Sequence, residues 1–292
     1  MQVIIQLMAD SSIFFISVVF VVSLMVGSFL NVVIYRLPIM MERAWKAEYQ
    51  GYFEPEKSCL AKQVTFNLVK PDSTCPNCQH KIRAWENIPL ISWLALKGQC
   101  SQCKNPISVR YPLVELITGL LSASVAWYFG FGAAALTGVV FTWLLVAMIF
   151  IDLDKMLLPD QLTLPLLWLG LIVSLNNTFV SSQDAIIGAA AGYLSLWSLY
   201  WGFKLLTGKE GMGYGDFKLL AALGAWVGWQ HLPIVILLSS FVGAIVGISM
   251  LVIQGKDKGQ AIPFGPYLAT AGWITLLYGE WIAQQYLDWA FA

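Results

Sequence analysis

Charge is the scarcest property of this sequence: only 12% of its 292 residues are Asp, Glu, Lys or Arg, while 58% are hydrophobic. Soluble domains carry about a quarter charged residues, so the composition excludes an ordinary soluble fold and points to a polytopic membrane protein. Net charge is zero as well, and it excludes little, because the charges are unevenly spread. The N-terminus lacks the basic n-region and the small-residue cleavage site of a secretory signal. Its first positive charge, Arg36, follows the first apolar run, which predicts a retained span. No convincing internal repeat or low-complexity tract is visible. A glycine-rich nucleotide loop following a strand is missing too, so composition alone suggests no nucleotide-like cofactor.

What remains is a succession of charge-free runs, and a helix needs roughly 20 apolar residues to cross the hydrocarbon core. Residues 11–35 form one run, and residues 116–151 form a run of 36 with a turn offered by Gly130-Phe-Gly132. Residues 161–183 and 185–203 give two more, while 219–255, a run of 37, is divided at Gln230-His-Leu-Pro233. The last run is 259–279. The expectation is an all-α membrane protein of eight spans, divided into a first helix (1–35), a polar loop (36–111) and a seven-helix domain (112–292). Region 42–74, with few apolar residues, reads as irregular connection.

Eleven of the 17 Lys and Arg lie between Arg36 and Arg110. If that loop is cytoplasmic, alternation puts Lys155, Lys204, Lys209, Lys218, Lys256 and Lys258 on the same side. All basic residues are then inside and both termini outside.

Two carboxylates stand at span margins, where an ionisable residue is a functional hypothesis by default. Asp152 ends the third span in Phe150-Ile-Asp-Leu-Asp-Lys155, and Asp216 precedes the sixth in Gly211-Met-Gly-Tyr-Gly-Asp-Phe-Lys218. They are 64 positions apart in sequence yet at one membrane depth, and they meet if spans three and six pack together. Gly188-x-x-x-Gly192, Gly224-x-x-x-Gly228 and Gly243-x-x-x-Gly247 allow close helix approach, between partners the sequence does not name. Two acids in one site cannot both ionise easily, so one keeps its proton while the other activates a water. Gly213 and Gly215 would leave backbone open to an extended substrate. The plainer reading makes these acids helix caps or partners of nearby lysines. Asp160, after Pro159, is placed as an N-cap, Asp154 as an interfacial charge beside Lys155, and Asp216 also precedes a helix. A cation- or proton-coupled transporter would use membrane aspartates as well, and a structural component of a secretion complex is a further rival.

Cys75-Pro-Asn-Cys78 and Cys100-Ser-Gln-Cys103 are separated by 21 residues. Two such turns supply the four soft ligands of a closed, structural zinc site. A reducing cytoplasmic side disfavours two disulfides, and reactive thiols are the other alternative. Cys59 is unpaired and incidental on this reading, while His80 and His231 are ordinary loop and turn residues rather than ligands.

Jointly these features resemble the type IV prepilin peptidases, bifunctional leader peptidases and N-methyltransferases of the G-x-G-D aspartic protease class. The resemblance covers nearly the whole chain and rests on five stretches. They are Val26-Gly-Ser-Phe-Leu-Asn-Val-Val-Ile-Tyr-Arg36, Trp85-Glu-Asn-Ile-Pro-Leu90, Ile151-Asp-Leu-Asp-Lys-Met-Leu-Leu-Pro-Asp160, Gly211 to Lys218, and Ile262-Pro-Phe-Gly-Pro-Tyr-Leu268. It implies that Asp152 and Asp216 are the catalytic dyad. Substrates would be prepilins and type II secretion pseudopilins, cut at the cytoplasmic face of a bacterial inner membrane after a short basic leader, commonly between Gly and Phe. It further implies methylation of the new N-terminus with S-adenosylmethionine as donor, with Gly98 the position carried over for that activity and Glu42 and Arg43 candidates by location. The partners implied are the substrates and the bilayer, not nucleic acid.

Overall fold

Only helices and connections occur among the described residues, which in this computed structural model are 2–53, 65–209, 211–254 and 262–291. The helices are α1 (Gln2–Asp10), α2 (Ser12–Phe53), α3 (Ile91–Ala95), α4 (Arg110–Phe129), α5 (Ala133–Lys155), α6 (Asp160–Ser174), α7 (Ser182–Thr207), α8 (Tyr214–Val227), α9 (Leu232–Gln254) and α10 (Gly265–Phe291). Among the described residues four stretches are long and apolar enough to cross a membrane: α2, α4, α5 and Trp229–Met250, which holds most of α9. On α9 the apolar side chains Leu237, Phe241 and Ile248 face outward, as lipid contact requires and water would penalise. Cys59, Lys256 and Lys258 lie outside the described residues.

The chain forms two compact units, residues 1–127 and 128–292, so the first helix, the cysteine loop and most of α4 group together. In the first unit, α2 does not stop near Arg36 but continues to Phe53. The continuation runs through strong helix formers (Met, Glu, Arg, Ala and Lys), with Glu42 and Lys46 paired one turn apart at 2.6 Å. Pro38 lies inside the helix without ending it. The expected irregular connection is therefore helical over its first part. Gly27 lets α4 come close, since a Cβ there would lie 2.8 Å from Cα of Glu115. Asn31 ties the two helices by donating to the carbonyl of Tyr111 at 3.1 Å.

In the second unit, α8 is the hub. Every residue from Leu219 to Val227 is buried, as expected of a helix apolar on all sides. Helix α7 crosses it at the small residues: Gly188 meets Gly224, and a Cβ on Gly192 would lie 2.5 Å from the Leu220 carbonyl oxygen. Gly243 and Gly247 of α9 instead face Tyr267 and Ile262. The expected direct packing of spans three and six takes another form. Helix α10 packs against both α5 and α8, and the α5–α8 gap is bridged by large rings, Phe141 and Trp226, 4.7 Å apart. The Trp226 indole also donates to the Leu166 carbonyl of α6 at 2.9 Å. The glycine crossing carries a direct test. Gly224→Leu drives a side chain into the Gly188 backbone, and overpacking of that kind costs about 1–3 kcal/mol or more. The detergent-solubilised variant should melt several degrees lower; an unchanged midpoint would contradict the crossing.

Candidate active site

Asp152 belongs to the last turn of α5 and Asp216 to the first turn of α8, and both are buried, 5% and 8% exposed. Helix α5 ends just beyond Asp152, where Met156 takes the left-handed conformation and returns its amide to the Asp152 carbonyl at 2.9 Å. The connector then places Leu158 beneath two glycines. A Cβ on Gly215 would lie 2.8 Å from Leu158, and one on Gly265 would lie 3.1 Å from the same side chain. Gly265 in turn donates its backbone N–H to Oδ2 of Asp152 at 3.0 Å. Its missing side chain is required there, because a Cβ would sit 2.6 Å from that oxygen.

Asp216 is reached from the other side. Gly213 occupies the N-cap of α8, its amide faces the Asp216 carboxylate, and its carbonyl accepts the Asp216 N–H at 3.2 Å. Asp216 therefore occupies the N3 position, and its carboxylate reaches back to the N-cap amide instead of standing as the N-cap residue itself. The two carboxylates lie within electrostatic reach of each other. Among the described residues neither is ion-paired; each faces one glycine amide. Asp160 differs from its expected role. Pro159 is the N-cap of α6, and Asp160 in the first turn binds Lys218 Nζ through both oxygens, each at 2.7 Å. Asp154 and Lys155 are exposed. Gly265, Leu158 and the Asp160–Lys218 pair were not singled out from sequence, although all lie within or beside the motifs quoted above.

In the first unit the four cysteines converge: all four Sγ atoms lie within 4.8 Å of one another. Cys75 and Cys103 are 3.7 Å apart and Cys78 and Cys100 3.9 Å, close to the edge of about 3.8 Å that tetrahedral Zn–S bonds of about 2.3 Å demand. All four are free thiols. The two turns are copies of one another, a local repeat that the sequence reading overlooked. Gln79 and Lys104 both have φ of 59°. Each donates to the first cysteine of its turn, Gln79 N–H to Cys75 O at 3.0 Å and Lys104 N–H to Cys100 O at 3.1 Å. Ile82 and Ile107 close the two turns on Ser73 and Gly98.

Amides of Cys78 and Asn77 pull the Cys75 thiol down, and that of Asn105 pulls Cys103 down to about 6. Although the His80 amide opposes it, burial and the three neighbouring thiols push Cys78 up to about 12. Four thiolates so close need a cation among them, and the donor set fits a soft metal ion. His80 is no ligand; it contacts Glu86 at 3.2 Å. The Arg83 amide, then the Ser101 hydroxyl, then His80 hold Glu86 below the usual carboxylate range, so this residue joins both turns. His231 contacts the Val227 carbonyl at 2.9 Å.

Gly98 has φ of 68°, and a Cβ there would lie 2.9 Å from the Trp93 ring. The space its hydrogen leaves is thus occupied by indole, whose N–H donates to Ile107 O at 3.2 Å. Glu42 pairs with Lys46 and Arg43 stacks on Phe66 at 4.1 Å. Glu42 lines a surface cleft with Trp45, Lys46, Tyr49 and Gln50, and neither Gly98 nor Arg43 borders it.

Comparison with known proteins gives a consistent result. Residues 21–129 match the bacterial peptidase A24 N-terminal domain, and residues 139–248 match the type IV leader peptidase family. A prepilin leader peptidase/N-methyltransferase of Aeromonas hydrophila is 63% identical over 271 residues, 93% of each chain. Proteins of the same name from Pseudomonas aeruginosa and Stutzerimonas stutzeri are 59% and 58% identical, over 97% and 98% of each chain. No solved structure matches the chain. The chain belongs to the type IV leader peptidase family.

Proposed function

We propose that this chain cleaves the leader from prepilins and type II secretion pseudopilins and then N-methylates the exposed amine. The observation that carries the peptidase reading is that Asp152 and Asp216 are both buried, lie within electrostatic reach of each other and each face a glycine amide. Two acids sharing one proton hold a water between them. The ionised carboxylate takes a proton from that water as its oxygen attacks the scissile carbonyl carbon, and the other acid gives its proton to the carbonyl oxygen. Collapse of the resulting diol breaks the C–N bond, with a proton passed to the leaving amine. Gly265 N–H fixes one carboxylate during these transfers. Gly213, where a Cβ would meet nothing closer than 3.7 Å, leaves room for the extended substrate backbone, whereas the space beside Gly215 is filled by Leu158.

The eight-span arrangement, with all basic residues inside and both termini outside, accompanies this reading. Helices α6 and α8, with 15 and 14 residues, rise only about 21–23 Å. Helix α8 is a short span shielded by its neighbours, α6 a short span that turns Trp168 and Ile172 outward, and the dyad lies at the cytoplasmic end of the bundle in a bacterial inner membrane. The four-cysteine site takes zinc in a structural role on that side.

Methyl transfer is supported by the name the relatives bear. S-adenosylmethionine supplies the methyl group, and Gly98, Glu42 and Arg43 remain the residues proposed around it. The contacts of Gly98 favour an indirect part for it, through the seat of Trp93.

The test is to incubate the purified chain with a prepilin and S-adenosylmethionine and to weigh the product. The expected product lacks the leader and carries one added methyl. Recovery of intact prepilin sinks the peptidase reading, and solute flux without processing would identify a transporter.

A further inference from the structure

The dyad is enclosed in a ring. From Asp152 the chain runs through the left-handed Met156, buried Leu158 and Pro159 to Asp160. Asp160 grips Lys218 through both oxygens at 2.7 Å, and Lys218 lies two residues from Asp216. The ion pair closes that circuit, with Leu158 packed inside it against Gly215 and Gly265. We propose that Asp160 and Lys218 are positioning residues that set the separation of the two carboxylates, an inference that rests on the dyad reading above.

Magnitudes favour a positioning role over a stabilising one. The side chains are 49% and 33% exposed, and pairs this open contribute about 0–1 kcal/mol to folding. Catalysis is far more sensitive to geometry, since a displacement of about 1 Å can cost about a hundredfold in rate. Loss of the pair should thus be nearly silent in stability and plain in turnover. The pair is also open to solvent, so salt weakens it: the screening length falls from about 10 Å at 0.1 M to about 3 Å at 1 M.

The experiment is a double-mutant cycle on the full-length enzyme with a prepilin substrate, with rates expressed per folded molecule. Asp160→Asn and Lys218→Met should each lower kcat by about tenfold or more, with KM and the melting temperature little changed. The double variant should lose no more than the worse single one, because one interaction is removed either way. Lys218→Arg, which keeps the charge, should recover most of the rate. High salt should slow the parent enzyme and leave the double variant unaffected. Losses that multiply in the double variant, full activity in either single variant, or a deficit that vanishes on correction for folded protein would each overturn the proposal. Asp152→Asn and Asp216→Asn run in parallel separate the two ideas. If they still cut, the dyad itself falls; if they are dead while the cycle is additive, only the role of the pair falls.

Discussion

Asp152→Asn and Asp216→Asn, each alone, should lower leader cleavage by roughly a thousandfold or more, with the double variant little worse than either. The non-additivity follows from the chemistry, because one acid without the other can neither share the proton nor hold the water. Asparagine is nearly isosteric, and its carbonyl oxygen can still accept the Gly265 N–H that Asp152 accepts at 3.0 Å. The fold should survive. Removing one of two buried acids in mutual reach also relieves repulsion, so the melting temperature should hold or rise as activity disappears. Mass spectrometry of the product and thermal unfolding of the same preparations check both halves. Robust cleavage by either variant removes the dyad. A melting temperature that collapses with the activity would reassign these residues to the core.

Local signals were legible in the sequence wherever chemistry is carried by residue type at fixed spacing. The two C-x-x-C turns predicted convergence of four sulfurs, and the structure holds them within 4.8 Å. Counting charge-free runs put the two aspartates at span margins, and the structure has Asp152 in the last turn of α5 and Asp216 in the first turn of α8. How they meet was not legible, because the contact is made by backbone. Gly265 reaches Asp152 with an amide, and its residue type says only that something passes close by. The glycine spacings announced tight crossings, but partners are set by the complementary surface: Gly188 finds Gly224, while Gly243 faces Tyr267. The extension of α2 to Phe53 was missed because polarity was equated with loop, although Glu, Lys, Arg and Ala continue a helix well once it has left an apolar environment. Asp160 was read as a cap since it follows proline, and local sequence cannot show that Lys218, 58 positions away, competes for its carboxylate.

If the four cysteines hold zinc as proposed, withdrawing the metal should unfold the loop and leave α2 and α4 in place. Two turns closed by three backbone hydrogen bonds each, with the isolated bridges Thr74–Lys81 and Gln99–Pro106, are little to hold the loop by themselves. Around them, Trp85, Ile88, Ile91 and Leu94 are all exposed, so hydrophobic burial supplies little there. Structural zinc contributes about 10–16 kcal/mol in small metal-dependent domains, which exceeds anything the loop's own contacts offer. Anchors to the helices persist, Leu90 N–H donating to Glu115 at 2.9 Å and Arg36 to Asn67 O at 3.1 Å, but they fix points and not the intervening fold. Cys75→Ser removes one thiolate and should release the metal to a competing chelator; lower pH acts in the same direction, since every thiolate must be deprotonated to bind. Limited proteolysis should then cut within residues 65–109 at least tenfold faster, with helical circular dichroism almost unchanged. Elemental analysis of the parent protein in reducing buffer should find about one zinc per chain, and a preparation that contains no zinc yet resists the protease would show that the loop stands without it.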